Sequence, residues 1–330
     1  MCFAASFQLD RPLRCASKQY LTTHTIDNAH PTDIFALAPT QTSVLSGSGA
    51  SSLAIHECTG DFALTQTLTG AHKLGTHHLT AAADGTVAVS AGFGGEVNVW
   101  VFDESQTWKS KGSLTEGKGK VGELWAVSLS ENGQLLAATA YDGSISMWDM
   151  SKVQEGVYTK IREYETKGSF GMSVAVSRDG RFTASGHENG GLYLFNNESG
   201  RMLHSLPGLI KPVRTVAFSP ENTLLAAAGD SMVIALYDVS CGEQVANLTG
   251  HNSWIMSLDF SSTGEWLLSS SYDGKVKIWG METRVCVATH GESDKPVWCA
   301  KWLPRLGRGE QFVVAGENQS ISFYREASGG

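Results

Sequence analysis

The sequence predicts an all-β fold, a seven-bladed propeller, on three observations. A phrase returns seven times, apolar residues alternate within each copy, and turn signals separate the runs. The sixth copy is the clearest: Gly250-His251, then Trp254-Ile255-Met256-Ser257-Leu258-Asp259-Phe260, a turn at Thr263-Gly264, Leu267-Leu268, Tyr272-Asp273-Gly274, and Val276-Lys277-Ile278-Trp279. The seven copies close on His56, Trp100, Trp148, Phe195, Tyr237, Trp279 and Tyr324, with gaps of 44, 48, 47, 42, 42 and 45 residues.

Each part of the copy has its own reason. In the first run Val213, Val216 and Phe218 share one side of a strand, as do Ile255, Leu258 and Phe260. Short alternating runs rich in Val, Ile, Leu and aromatics read as strands, and none is long enough for a good helix. Asn132-Gly133, Asp179-Gly180 and Thr263-Gly264 turn the chain after the first run. Asp142-Gly143 and Asp273-Gly274 turn it after the second. The chain has 36 glycines in 330 residues, about 11 %, above the ordinary ~7 %, and many tight turns account for the excess. A period of about 40–45 residues with a Gly-His start and a Trp-Asp-like finish is the WD-repeat signature, one four-stranded blade per copy. No blade buries its own faces, so blades stack into a ring. An open ring leaves a strand edge exposed. The strand-like run Gln19 to Ile26 precedes the first Gly-His equivalent, Ala29-His30, and is expected to pair with the last blade beside Ser320–Tyr324.

Length alone would allow two domains, but seven blades of about 44 residues make one. The expected organisation is an extension at 1–18 and a single propeller at 19–330. Met1 to Ser17 has a short apolar run with no basic segment before it, so it reads as a loose extension rather than a signal peptide. No apolar stretch reaches the ~18 residues a membrane helix needs. Net charge is −8, which disfavours direct binding of nucleic acid. The six cysteines are scattered without a C-x-x-C pair. Reduced thiols, in the cytoplasm with the nucleus as second location, are the simple expectation. Asp103 to Lys120, rich in Lys, Ser, Gly and Glu, is expected to be an exposed loop between blades 2 and 3, and Pro304 to Glu310 a connector inside the last blade.

Two motifs suggest chemistry and fail on context. Gly117-Lys118-Gly119-Lys120-Val121-Gly122 matches G-x-G-x-x-G, but a dinucleotide site needs a strand before it and a helix after it. Here a polar loop precedes and the strand Leu124 to Leu129 follows. His251, Asp273 and the serines at 269 to 271 resemble a triad. In a WD repeat such residues, with the closing Trp279, form a buried structural tetrad, because a buried His needs partners for both ring nitrogens. That set reads as complete only in the sixth copy; the third keeps Asp142 and Trp148 without the His. The ten histidines show no metal-ligand spacing. No cofactor, metal or catalytic residue is expected, and the chain is not expected to be an enzyme.

The binding signal lies at the start of each first strand. Aligning the copies on Leu258 and Phe260 gives one column of Asp33, Gly75, Glu123, Phe170, Pro212, Trp254 and Pro296. The second column is Phe35, His77, Trp125, Met172, Arg214, Met256 and Trp298. Both should point out at one rim of the ring. A solvent-facing rim should be polar, whereas Phe35, Trp125, Phe170, Met172, Trp254, Met256 and Trp298 are large and apolar. Aromatics, Met and Arg are enriched at interfaces, so this rim, with Asp33, Glu123 and Arg214 among the rings, is the candidate docking face.

Further details are similar to one group of WD-repeat proteins. Ala29-His30-x-x-Asp33-Ile34-Phe35, Leu124-Trp125-Ala126, Ser253-Trp254-Ile255-Met256-Ser257-Leu258 and Ser320-Ile321-x-x-Tyr324-Arg325-Glu326-Ala327 resemble the WD-repeat subunit of the superkiller (Ski) complex of fungi. The likeness runs from about Gln19 to the end. It implies a non-enzymatic scaffold that joins a tetratricopeptide-repeat protein and an RNA helicase and supports 3′-to-5′ messenger RNA decay by the exosome. It also implies a meiotic role through the topoisomerase-like protein that makes recombination breaks. By the same resemblance Phe35, Trp125, Trp254 and Trp298 would take apolar side chains of a short partner segment, and Asp33 or Glu123 would meet an Arg. Because propellers host many functions, an adaptor of a ubiquitin ligase or of a transcription or chromatin complex is the competing expectation.

Overall fold

The computed structural model describes residues 18–114, 124–291, 294–305 and 309–327. It contains seven antiparallel sheets of four strands. The innermost strands of blades 1 to 7 are Ile34–Pro39, Thr76–Ala81, Leu124–Leu129, Gly171–Val176, Val213–Phe218, Ile255–Phe260 and Val297–Trp302. In six sheets the four strands follow one another in chain order. The seventh takes its outer strand from Tyr20–Ile26, which pairs antiparallel with Ile321–Glu326, Tyr20 opposite Glu326 and Ile26 opposite Ile321. The fold is therefore an all-β seven-bladed propeller. Glu123 and the G-x-G-x-x-G match at 117–122 lie outside the described residues.

Seven hydrophobic cores divide the interior, and each lies between two neighbouring blades. Blades 2 and 3 share Val89, Val99, Val127, Leu136 and Trp148, blades 5 and 6 share Leu236, Leu248, Leu258, Leu267 and Trp279, and blades 7 and 1 share Leu37, Val44, Val313, Ile321 and Phe323. A single twisted sheet of about 20 alternating residues has two apolar faces and no third layer to cover them, so each face needs a neighbour.

One expectation fails. Within the stretch expected to be a loop, Trp108–Ser113 forms the outer strand of blade 2. Trp108 is buried against the core shared by blades 1 and 2, while Lys109, Ser110 and Lys111 are exposed. An outer strand is held by one anchor and one ladder, so its remaining residues are free to be polar.

Candidate functional site

A β-bulge places the docking residues. Each innermost strand carries a register shift near its start. Ile34 faces Ser48 and Ala36 faces Gly47, leaving Phe35 as the extra residue. The same count leaves His77, Met172, Arg214, Met256 and Trp298 unpaired in blades 2, 4, 5, 6 and 7. In blade 3 the shift spans Trp125 and Ala126. The second column is thus the set of bulge positions. A bulge takes a residue out of the ladder and re-aims its side chain, here away from the inter-blade cores. Phe35, Trp125, Met172, Arg214, Met256 and Trp298 are half-buried, His77 is buried, and in the first column Trp254 is 43 % exposed.

These side chains touch one another around the rim. Phe170 packs on Trp125 with ring centroids 5.2 Å apart, and Trp125 stacks on His77 at 3.9 Å. His77 meets Phe93 at 4.9 Å, Phe93 meets Phe35 at 5.2 Å, and Phe35 meets Trp298 at 5.3 Å. Trp298 then contacts Tyr272 at 5.8 Å, Tyr272 contacts Trp254 at 5.6 Å, and the Arg214 guanidinium lies 4.6 Å from the Trp254 ring. The chain of contacts visits blades 4, 3, 2, 1, 7, 6 and 5 in turn. Among the described residues no ring contact joins Phe170 to Arg214. In that sector the loop between blades 4 and 5 carries Ile210, which is 86 % exposed.

Three of these rings belong to neither predicted column. Phe93, Tyr141 and Tyr272 sit in the turn between the second and third strands; Tyr141 stacks on Phe170 at 4.4 Å. The backbone N–H of this third position donates to the carbonyl of the first column, as in Phe93 to Gly75 at 3.1 Å, Glu188 to Phe170 at 2.9 Å and Tyr272 to Trp254 at 2.9 Å. That bond brings the two loops of one blade together. The signal was present in the sequence, two residues ahead of the turn glycine in Phe93-Gly94-Gly95, Tyr141-Asp142-Gly143 and Tyr272-Asp273-Gly274.

The polar groups of the rim are already engaged. Asp33 Oδ2 accepts the indole N–H of Trp298 at 3.1 Å. Arg214 makes a two-pronged ion pair with Asp230, its Nη2 donating to Oδ2 at 3.2 Å. His77 Nε2–H donates to the Gly92 carbonyl at 3.1 Å, which leaves its Nδ1 to accept from His78 Nδ1–H at 2.7 Å. Burial, then the charge of His78, drives the His77 imidazole well below its ordinary range. Burial and then Lys301 bring His78 to about 4. Both imidazoles are neutral at neutral pH, so the His77–Trp125 stack carries no imidazolium charge. Glu188, Asp230 and Glu317 occupy the third position in blades 4, 5 and 7; Arg214 pairs with Asp230 and Lys295 Nζ faces Glu317 at 3.9 Å, so among the described residues Asp33 and Glu188 are the rim carboxylates with no cation opposite them.

The tetrad residues lie away from the rim surface, inside the sixth blade. His251 Nδ1–H donates to Asp273 Oδ2 at 3.0 Å and Nε2 accepts from the Ser269 hydroxyl at 2.8 Å. The same oxygen accepts the Trp279 indole N–H at 2.9 Å. Burial alone would raise the Asp273 carboxyl, but the bonds from His251 and the Asn252 amide hold it at about 2. Ser269 is fully buried between His251 and Trp279, which fits a tie across the blade.

The expectation that only the sixth copy is complete is corrected. In blade 2, His72 bonds Ser90 at 2.7 Å and Glu96 at 3.1 Å, and Trp100 donates to Ser90 at 2.8 Å. The acid sits four residues before the closing Trp instead of six, and the longer Glu side chain makes up the distance. In blade 1, His30 bonds Ser46 at 2.8 Å, but the closing residue is His56 and its Nδ1 is buried without a partner.

The family model of the WD domain, G-beta repeat, matches residues 108–149, 200–238 and 242–280. The chain is 40 % identical over 312 residues to the meiotic recombination protein rec14 of Schizosaccharomyces pombe, covering 94 % of this chain and 99 % of that protein. It is 26 % identical over 399 aligned positions to the antiviral protein SKI8 of Saccharomyces cerevisiae, covering 95 % of this chain and all of that protein. The WD repeat-containing protein SL1-17 of Schistosoma mansoni is 28 % identical over 258 residues, 77 % of this chain and 80 % of its own.

Proposed function

The chain belongs to the WD-repeat family that includes rec14 and SKI8, and we propose that it is a non-enzymatic scaffold whose aromatic rim docks short segments of partner proteins. The observation that carries the reading is the contact chain from Phe170 through Trp125, Phe35, Trp298 and Trp254 to Arg214. These rings pack on one another yet keep open faces, and Phe35, Trp125 and Trp298 are supplied by bulges that a core would not require. Half-covered aromatics in a row give a large apolar contact at small conformational cost, the usual composition of a hot spot. The surrounding carboxylates favour a segment that carries a cation beside its apolar anchors.

The partners that fit the relatives are the tetratricopeptide-repeat subunit and RNA helicase of a Ski-type complex, with a role in exosome-mediated 3′-to-5′ decay of messenger RNA. The name of rec14 adds a second role in meiotic recombination, where the partner would be the topoisomerase-like protein of break formation. On this reading the protein works in the cytoplasm, with the nucleus as a second location. The net charge of −8 supports contact with proteins rather than with the nucleic acid they handle.

The test is a tagged pull-down from the native organism, run beside the Trp254→Asp variant. Recovery of a tetratricopeptide-repeat protein and a helicase by the wild type, and their loss from a folded variant, is the expected result. Recovery of cullin or chromatin subunits instead would move the protein to a different assembly. Unchanged recovery by the variant would remove the rim from the reading.

A further inference from the structure

The seams between blades supply an internal comparison. On the outer strands of blades 1, 3, 4 and 7 the residue at one register position is long enough to face the next blade's turn between its third and fourth strands; in blades 2, 5 and 6 that position is Gly112, Ala246 and Ala288. Gln66 fills this place between blades 1 and 2, its amide donating to the Trp108 carbonyl and accepting the Trp108 N–H, both at 2.8 Å. His204 fills it between blades 4 and 5, bonding the Ser240 carbonyl at 3.2 Å. His24 fills it between blades 7 and 1 by stacking on Phe62 at 4.5 Å. Between blades 3 and 4 the residue in register is Arg162, opposite Met147.

Arg162 does not close its seam. Its guanidinium lies against Gly200, where a Cβ would overlap it. Near it Tyr164 donates to Asn197 at 2.9 Å, and the exposed Arg181 and Glu198 side chains face each other at 3.8 Å. Asp179 Oδ1 accepts the Ser177 hydroxyl at 2.7 Å and the Arg181 N–H at 3.0 Å. Among the described residues no acceptor is bonded to Arg162. Beside it opens a cavity of about 220 Å³, walled by Leu135, Met147 and Ile161 on the apolar side and by Asp179, Arg181 and Glu198 on the charged side. Ile161 is 50 % exposed at its mouth. The volume is below the ~300 Å³ at which small-molecule pockets begin, and suits one or two side chains of a peptide.

We propose that this seam is a second docking site, separate from the rim, for a protein segment that places an acidic side chain on Arg162 and an adjacent apolar side chain against Leu135, Met147 and Ile161. A guanidinium with free N–H groups offers a fork that matches a carboxylate with two parallel bonds. The half-buried setting makes that pairing stronger than on open surface. The apolar wall selects a side-chain neighbour that a free anion lacks.

The test uses the full chain with its Ile and Met methyl groups labelled for NMR. The probes are the capped dipeptides acetyl-Leu-Glu-amide and acetyl-Leu-Gln-amide, and inorganic phosphate. The expected result is saturable shifts of the Met147 and Ile161 methyls with the Glu dipeptide, weaker by about fivefold or more with the Gln dipeptide and with Arg162→Gln. The amide spectrum of Arg162→Gln reports whether that variant is folded, and Arg162→Lys, which keeps the charge without the fork, should retain part of the binding. No saturable shift, equal binding of both dipeptides, or full binding by Arg162→Gln would overturn the proposal. Phosphate binding as tight as the Glu dipeptide, without movement of the two methyls, would also overturn it, leaving a plain anion contact.

Discussion

The indole N–H of Trp298 donates to Asp33 Oδ2 at 3.1 Å, joining two residues 265 positions apart in the chain. This bond ties blade 7 to blade 1 on the docking face, at the seam where the ring closes. Phe35 packs on the same Trp298 ring at 5.3 Å, so the donor and the apolar contact hold one geometry.

Trp298→Phe keeps a ring and removes the donor. The expected cost is about 1 kcal/mol, since a half-exposed bond to a carboxylate is partly replaced by water. Urea unfolding of Trp298→Phe beside Asp33→Ala measures it. The two losses should not add, because both remove the same bond.

Trp254 is 43 % exposed and is held by Tyr272 and Arg214 rather than by a core. Trp254→Ala should therefore change stability by about 1 kcal/mol or less, while costing ~2 kcal/mol or more in binding of a rim partner. Calorimetric titration with the partner recovered by pull-down, paired with a melting curve, separates the two. A large drop in melting temperature would make Trp254 a core residue.

The tetrads predict a graded series. Ser269→Ala leaves the Trp279 N–H and the His251 ring without their shared oxygen, and should cost about 2–4 kcal/mol. Ser90→Ala in blade 2 removes the same pair of bonds from His72 and Trp100 and should cost a similar amount. Asp273→Asn should cost more than Glu96→Gln, because the Asp273 side chain is 7 % exposed and that of Glu96 is 26 %. Denaturant midpoints of the four variants give the order directly.

Acid sensitivity follows from the buried histidines. Burial lowers His30 and His78 to about 4, and lowers His56, His72, His77, His187 and His290 as well. A lowered His pKa means that the unfolded chain binds more protons between its own value near 6.5 and the folded value. The contribution is therefore complete above pH ~6.5 and is lost as pH falls towards about 4. Near pH 5.5 unfolding should take up about two or more protons, a slope of about 2.7 kcal/mol per pH unit. Asp273, held at about 2, acts in a lower window: its contribution is present above its ordinary carboxyl range and disappears as pH falls through about 2. Melting temperatures from pH 8 to pH 4 check the histidine window; a flat profile would contradict it.

Much of the architecture was legible because it is periodic. A closing aromatic every 42 to 48 residues, Gly-containing turns and alternating apolar runs state the blade seven times, and repetition suppresses the ambiguity of any single short strand. Where the repeat weakens, the reading weakened with it. Trp108–Ser113 has the composition of a loop because an outer strand needs one buried anchor, and the tetrad of blade 2 departs from the repeat because Glu96 lies two residues further along the turn.

The propeller fold, the two columns at the start of each innermost strand and their aromatic character follow from spacing and residue type, and a reader of the chain alone can find them. The tertiary structure alone decided which rings touch. Phe35 meets Trp298, and Trp298 meets Tyr272, only because closing the ring brings the two ends of the chain to one seam, and because a bulge in each innermost strand turns one side chain out of the ladder. It also decided that Asp33 and Arg214 are engaged within the chain and that Arg162 is not. Those facts depend on distances across blades, which no local pattern carries.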